Sequence, residues 1–421
     1  MFLGCMATSP WWLTACGGGN DGAIRLVQAS PALGALDWWV DGSVKASSIA
    51  FGQSSGYRDI DSGGTEMSVS LAGSASLLLT ADVSVEARGH HQSWVIFGSA
   101  STLKALMIDD EVTTPSSSYT TIKVLHTSTQ APDVDVYLMN AADDPAGATL
   151  QAESPALNTL VDTEDVKSGL KRLRVTTAGQ ADDVLLDIPQ MVCAGGGVTT
   201  LVLTDGTGGM LIEAIQLDQQ GAVTPLVNPA ARLRVVTALN GSAAVTVSAQ
   251  GVALLSQATS PSIKDYVTVS AGTLTLAATI DGAAVTAPSL TLTMGGDHTL
   301  LITGTTAADA RFTLLTDDNS IPSPSTSACV RLVHAVTSLA STAVSLQVDF
   351  ASMVTNLAFA SASVRVVLTP RTTANVRVIG GSQTLLQLTD QVFAAGAVYT
   401  VFVFNDGAGT GLTTGVLTQD R

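Results

Sequence analysis

One short pattern recurs four times along the chain. Ile24-Arg25-Leu26-Val27-Gln28-Ala29 returns as Ile122-Lys123-Val124-Leu125-His126-Thr127. It returns again as Leu233-Arg234-Val235-Val236-Thr237-Ala238 and as Val330-Arg331-Leu332-Val333-His334-Ala335. The spacings are 98, 111 and 97 residues. Units of 20–50 residues must stack on one another to bury a face, whereas a unit of about 100 residues can bury a core of its own. Each copy sets an apolar residue, then Arg or Lys, then two more apolar residues. That reads as a half-buried strand with its basic residue at a fixed outward position.

Other landmarks keep the same register. Asp37-Trp38-Trp39-Val40 matches Asp135-Val136-Tyr137-Leu138, and Ile49-Ala50-Phe51 matches Leu357-Ala358-Phe359. Late in each unit a nearly continuous apolar strand follows a Gly turn: Trp94–Phe97, Thr200–Leu203, Leu300–Ile302 and Tyr399–Phe404. A last strand then runs into acidic residues, as at Leu106–Asp110 and Thr313–Asp318. The first unit contains about seven short strands split by turns such as Asp41-Gly42, the pattern of an immunoglobulin-like, Greek-key sandwich. The chain is therefore expected to be all-β, with four tandem immunoglobulin-like β-sandwich domains of roughly 90–110 residues each. Pro- and Ser-rich stretches at 113–118, 225–229 and 321–325 mark the joints. The expected division is 1–22 as signal and tether, then sandwiches at 23–114, 119–223, 230–319 and 327–421.

Composition narrows the function classes. Thr and Val recur throughout, which favours strands over helices. With 35 acidic against 19 basic residues the net charge is −16, and the densest basic run is Lys171-Arg172-Leu173-Arg174. Nucleic-acid binding draws on clustered Lys and Arg, so no nucleic-acid partner is expected. No run of 18 apolar residues exists to form a membrane-spanning helix. A membrane barrel is disfavoured by the four-fold period, which suggests separate beads. The 9 Phe, 5 Trp and 5 Tyr are also few for aromatic girdles.

The N-terminal stretch Leu13-Thr14-Ala15-Cys16 resembles the lipobox of a bacterial lipoprotein signal, followed by the Gly-rich tether Gly17–Asp21. The resemblance implies cleavage before Cys16 and lipid attachment at its thiol and new amino group, a durable anchor once two or more acyl chains are present. Gly17 after the cysteine favours the outer membrane by analogy with enterobacterial sorting. No basic residue precedes Arg25, so a positively charged leader region is missing from the first 24 residues.

The units also resemble the tandem modules of domain-of-unknown-function family 4397. The stretches that carry the resemblance are "IRLVQASP" at 24–31, "IKVLHTSTQAPDVDVYL" at 122–138 and "VRLVHA" at 330–335. It is weaker in the third unit, which lacks the Pro-Asp loop. The family implies a β-sandwich and an exported location. It brings no known activity and no functional residues.

No catalytic, metal or cofactor site is expected. Gly52-Gln53-Ser54-Ser55-Gly56 has the letters of a G-x-S-x-G nucleophile elbow, but a strand at Tyr57–Ile60 follows it where the motif needs a helix. A Ser/Gly turn is the better reading. His126 and His334 occupy equivalent positions, held by Gln28 and Thr237 in the other units. A position that accepts His, Gln and Thr is expected to hydrogen-bond the following loop. His90 and His91 sit in a turn. The acidic pairs, such as Asp109-Asp110 and Asp317-Asp318, lack the alternating pattern of a calcium loop. Gly195–Gly197 precedes a strand and offers no helix N-terminus to a phosphate. Cys193 and Cys329 are expected to be small buried thiols. Trp38 and Trp39 are the weak ligand-binding candidates, because adjacent strand residues face opposite ways.

These observations point to an exported, lipid-anchored cell-envelope protein, a lipoprotein of the outer membrane. Its expected role is non-enzymatic: structural, adhesive or ligand-binding. Its partners would be the membrane, through the N-terminal lipid, and a glycan or envelope protein. The alternative is an envelope carbohydrate-binding protein or hydrolase with an interdomain site.

Overall fold

A computed structural model describes residues 21–131, 133–143, 149–206 and 208–421. Cys16 and the lipobox lie outside them. The four units are four tandem immunoglobulin-like sandwiches of short strands, paired antiparallel except at one parallel pairing in each. Among the described residues the nine sheets are open. The described residues contain no helix long and apolar enough to cross a membrane.

Each sandwich repeats one plan. In the first, one sheet orders Arg58–Ile60, Gly22–Gln28, His91–Phe97 and Lys104–Asp109, and the other orders Ser43–Ile49, Leu36–Val40, Gly63–Leu71 and Leu77–Val85. We call Gly22–Gln28, Tyr119–His126, Ala230–Leu239 and Ala328–Ala335 the opening strands. Each pairs in parallel with a central strand: His91–Phe97, Gly197–Asp205, Asp297–Gly304 or Val398–Asn405. The central strand in turn pairs with a closing strand: Lys104–Asp109, Ile212–Asp218, Arg311–Asp317 or Thr413–Gln419. The second sandwich adds one strand more, Val223–Leu226, on the outer edge of its closing strand. That strand lies partly in the stretch expected to be a linker.

Every residue of the opening strands Gly22–Gln28 and Ala328–Ala335 is buried, as is every residue of the central strand Val398–Asn405. An outer sheet of an isolated sandwich would show one wet face. Here the alternate residues fill two different cores. In the fourth sandwich Val330 and Leu332 pack inward with Val376, Val378 and Phe393. Val333, Ala335, Phe402 and Phe404 face out, and meet Val236, Ala238, Leu301 and Leu315 of the third sandwich. Likewise Val27, Val95 and Phe97 of the first sandwich meet Leu125, Val202, Ile215 and Leu217 of the second. The modules are thus not separate beads, as the repeat period had suggested. They are clamped face to face as two pairs, one–two and three–four. At about 1.5–3 kcal/mol for each fully buried apolar side chain, these faces hold the modules together.

Candidate functional site

The outward basic residues lie inside these clamps. Arg25, Arg234 and Arg331 are 1%, 3% and 2% exposed, so the outward position is covered by the neighbouring module. An isolated buried guanidinium is costly, so each must find partners. The first partner is local: the parallel register places a hydroxyl of the central strand opposite each basic residue. Arg25 Nε donates to Ser93 Oγ at 2.7 Å, Arg234 Nε to Thr299 Oγ1 and Arg331 Nε to Thr400 Oγ1, both at 2.8 Å. Each hydroxyl donates onward at 2.5 Å to an aspartate at the end of the closing strand: Asp110, Asp317 or Asp420. In the second sandwich these positions hold Lys123, Thr200 and Gln219. Lys123 Nζ lies 3.3 Å from Asp162 of its own sandwich.

Across the three–four interface the charges are exchanged. Arg234 donates to both oxygens of Asp420, at 2.6 and 3.1 Å, and Arg331 Nη1 lies 2.7 Å from Asp317 Oδ1. Tyr266 donates to Asp317 at 2.6 Å and lies beneath the Arg234 guanidinium, 4.6 Å from ring centre to Cζ. Burial, reinforced by the Asp317 charge, raises the Tyr266 phenol well above its ordinary range, so it stays a donor. Across the one–two interface Arg25 reaches backbone instead, donating to the carbonyls of Gly221 at 2.6 Å and Asp218 at 2.8 Å. Burial raises Asp110; hydrogen bonds from Ser93 and Tyr57 and the Arg25 charge oppose that rise.

The two pairs are joined by a second set of contacts. Arg421 donates to the carbonyls of Gln130 at 2.5 Å and Asn319 at 3.3 Å. Asn228, in the joint between sandwiches two and three, donates to the carbonyls of Leu185 and Ile212. Asp297 accepts from Asn319 at 2.8 Å and from the Met210 amide, and burial pushes its carboxyl up to about 6. Beside this junction lies a cleft of about 470 Å³. Its walls come from 29–32 and 98–102 of the first sandwich, 127–130 and 205–206 of the second, the joint at 320–325, and Arg365 of the fourth. Ser99, Ser101, Thr102, Thr129 and Ser323 give it a hydroxyl lining. Its single carboxylate, Asp205, already accepts from Ser128, Thr129 and the Gln130 amide.

The residues singled out in the sequence fall elsewhere. Trp38 is fully buried in the first core and presents nothing to a ligand; Trp39 is half-buried and donates to Ser70 at 2.9 Å. Gly52–Gly56 is a turn. Ser54 Oγ accepts from the Gly56 amide, while Ser55 Oγ accepts from the Leu26 amide at 2.9 Å, a role Ser363 repeats for Leu332 at 3.0 Å. His334 holds the following loop as expected: its Nδ1 accepts from the Val336 amide and its Nε2 meets the Thr342 carbonyl at 3.0 Å. Gln28 does the same work, accepting from Ser30 and donating to Gly34. His126, at the equivalent position, is buried. His90 and His91 meet Asp109 at 2.8 Å and Glu111 at 2.6 Å, carboxylates some 20 residues further along the chain. Cys193 and Cys329 are buried free thiols, and burial pushes Cys193 up to about 11. Among the described residues no group of three or more His, Cys, Asp or Glu is placed to hold a metal ion. The paired Arg–hydroxyl–Asp sets were not foreseen, and the alternative of an interdomain site named none of the residues that line the cleft. The near-continuous apolar central strands were the available signal, since such strands are covered on both faces.

The model of a domain of unknown function, DUF4397, matches residues 22–137 and 231–341, more than half of the chain. The chain belongs to the DUF4397 family. Among curated proteins none matches. Solved structures give remote likenesses. A Bacteroides uniformis protein provisionally assigned to cell adhesion is 13% identical over 48% of this chain and 99% of its own, with a TM-score of 0.21. The Bacillus anthracis TIE protein is 8% identical over 69% of this chain and 51% of its own, with a TM-score of 0.15. A family 26 carbohydrate-binding module of Eubacterium rectale Amy13K, solved with maltoheptaose, is 13% identical over 48% of this chain and 97% of its own, with a TM-score of 0.17. None of these likenesses is close enough to argue what this DUF4397 protein binds.

Proposed function

We propose that this DUF4397 protein is an exported cell-envelope lipoprotein, anchored through Cys16 to the outer membrane, whose clamped modules form a rigid, non-enzymatic binding scaffold. The observation that carries this reading is the use made of its buried charges. Arg25, Arg234, Arg331, Asp110, Asp317 and Asp420 are all engaged in ties within and between modules. The hydroxyl-lined cleft between the pairs suits a polar ligand, a glycan or an envelope-protein loop. It does not suit glycoside hydrolysis, which needs two carboxyl groups across the scissile bond, since Asp205 stands alone there with both oxygens engaged.

The test has two arms. Changing Cys16→Ser should move the protein from the membrane fraction to the soluble one; retention in the membrane overturns the anchor. The soluble protein is then screened against glycans and envelope proteins. A ligand lost on blocking the cleft with Ser101→Trp supports the scaffold. A ligand unaffected by that change places binding elsewhere.

A further inference from the structure

The two clamped pairs differ at one edge. In pair one–two, the loop 52–57 of the first sandwich faces the closing strand of the second, and strand Val223–Leu226 fills the space between them. Pro225 pairs with Ile215 of that closing strand, and a Cβ placed on Gly52 would stand 2.9 Å from Pro225 Cβ. The turn leading into the added strand supplies the Gly221 carbonyl that Arg25 takes.

In pair three–four, the loop 360–365 stands in the same relation to the closing strand Arg311–Asp317. Here nothing among the described residues pairs with the outer edge of that strand. A groove of about 650 Å³ lies between them, walled on its apolar side by Leu314, Leu315, Ala362 and Val364 and also by Asp318 and Arg365, whose charges meet each other at 2.9 Å. Arg331, the counterpart of Arg25, lines it. Arg331 is 2% exposed, yet its Nη2 has no hydrogen-bond acceptor; Asp420 Oδ2 is 3.7 Å from it. Val364 on the outer wall is 84% exposed. The groove therefore has an unpaired strand edge, an apolar wall and an unmet buried donor, where its counterpart has a strand, a proline and a carbonyl.

We propose that this groove takes an extended, uncharged segment of a partner protein, added antiparallel to Arg311–Asp317 as Val223–Leu226 is added to Ile212–Asp218, with one backbone carbonyl accepting from Arg331. Strand addition of this kind draws affinity from main-chain hydrogen bonds and specificity from side-chain pockets. The pocket here has a readable rule. Ala360, at φ 53°, replaces Gly52, at φ 73°. Its Cβ occupies the place where a Gly52 Cβ would crowd Pro225. The bound segment must carry glycine where Val223–Leu226 carries proline.

The groove shares only Arg365 with the cleft, and the proposal does not use that residue, so failure of a cleft ligand leaves it standing. The probe is a fluorescent octapeptide of residues 221–228 carrying Pro225→Gly, titrated by anisotropy into the full chain with Cys16→Ser. Saturable binding is expected, with residues 312–316 gaining amide-exchange protection. Binding should weaken at least about tenfold for the unaltered proline peptide, and by as much for Val364→Asp, whose exposed side chain leaves the fold intact. The proposal is overturned by absence of binding, by equal binding of the two peptides, or by binding that Val364→Asp does not change. It is also overturned if the peptide protects 214–217 instead, having displaced the native strand. Self-association of the chain that Val364→Asp abolishes would give the groove to a second copy and overturn the partner assignment.

Discussion

The two module interfaces descend from one pattern and use it differently. Between sandwiches three and four, two arginines and two aspartates are exchanged crosswise, each arginine on its own threonine and on the other module's carboxylate. Between sandwiches one and two, the second module has Lys123 and Gln219 at these positions. Lys123 turns to Asp162, and Gln219 donates to the Val112 carbonyl at 2.8 Å. Arg25 is left as a single cation served by backbone carbonyls. Charge exchange is therefore not what makes modules pair. The common element is the apolar face, and the polar set needs only to leave no buried charge unmet.

The largest expected effect breaks that contrast open. Asp420→Ala strips Arg234 of both its carboxylate hydrogen bonds, leaving it only Asp317 at 4.0 Å, and should cost the three–four pair about 3–5 kcal/mol. Asp110→Ala should cost less, about 1–3 kcal/mol, because Arg25 keeps its two carbonyls. Urea unfolding of both variants measures the difference, and equal losses would remove the distinction. The double replacement Arg331→Met with Asp317→Leu should be milder than either single change, since a buried pair exchanged for apolar volume is often neutral.

The next effect concerns the junction between the pairs. Asp297 titrates at about 6 in the folded chain, against an ordinary 3.8, because it is buried. Between those pH values the folded chain holds a proton that the unfolded chain has lost. Its contribution is fullest below pH 4 and falls as pH rises through 6, by about 3 kcal/mol. Asp297→Asn should remove this loss while keeping an oxygen for Asn319 and the Met210 amide. Stability profiles from pH 4 to 7 should diverge by that amount; parallel profiles would show that Asp297 is already ionised at pH 4.

Much of this architecture was legible in the chain. Ile24–Ala29 and its three copies, the apolar central strands and the Pro- and Ser-rich joints sufficed for four sandwiches. The error lay in the surroundings of one repeated position. Alternation told that Arg25, Arg234 and Arg331 face away from their own cores, which is correct, but alternation names a face and not what covers it. The second apolar set was also present, as Val27, Val236, Val333 and Phe402, and two-sided burial is what such continuous runs signal. The cleft and the groove were not legible, because both are made by how one module seats on another. Ser101, Asp205 and Arg365 meet through contacts some 100 to 260 residues apart in sequence, which no local pattern encodes.

A smaller effect separates the two grooves. Gly52→Ala would place a Cβ 2.9 Å from Pro225 on a backbone at φ 73°, and should cost about 1–2 kcal/mol. The reverse change, Ala360→Gly, meets no strand and relieves a residue at φ 53°, so it should be neutral within about 0.5 kcal/mol or mildly stabilising. Two similar melting shifts would mean that Val223–Leu226 does not press on Gly52.

The smallest effect sharpens the likeness beneath the contrast. His334 and Gln28 end their opening strands with the same pair of hydrogen bonds, one accepted from the amide two residues on and one to a loop carbonyl. Burial lowers the His334 pKa, so the neutral ring with a single N–H is the form that serves, and a carboxamide offers the same one acceptor and donor. His334→Gln should therefore cost less than about 1 kcal/mol, whereas His334→Leu, which leaves the Val336 amide and the Thr342 carbonyl unmet, should cost about 1–3 kcal/mol. If glutamine proved as damaging as leucine, the imidazole would be needed for its shape against Phe359, whose ring meets it edge-on at 5.6 Å, and the two modules would be alike in sequence position but not in the work done there.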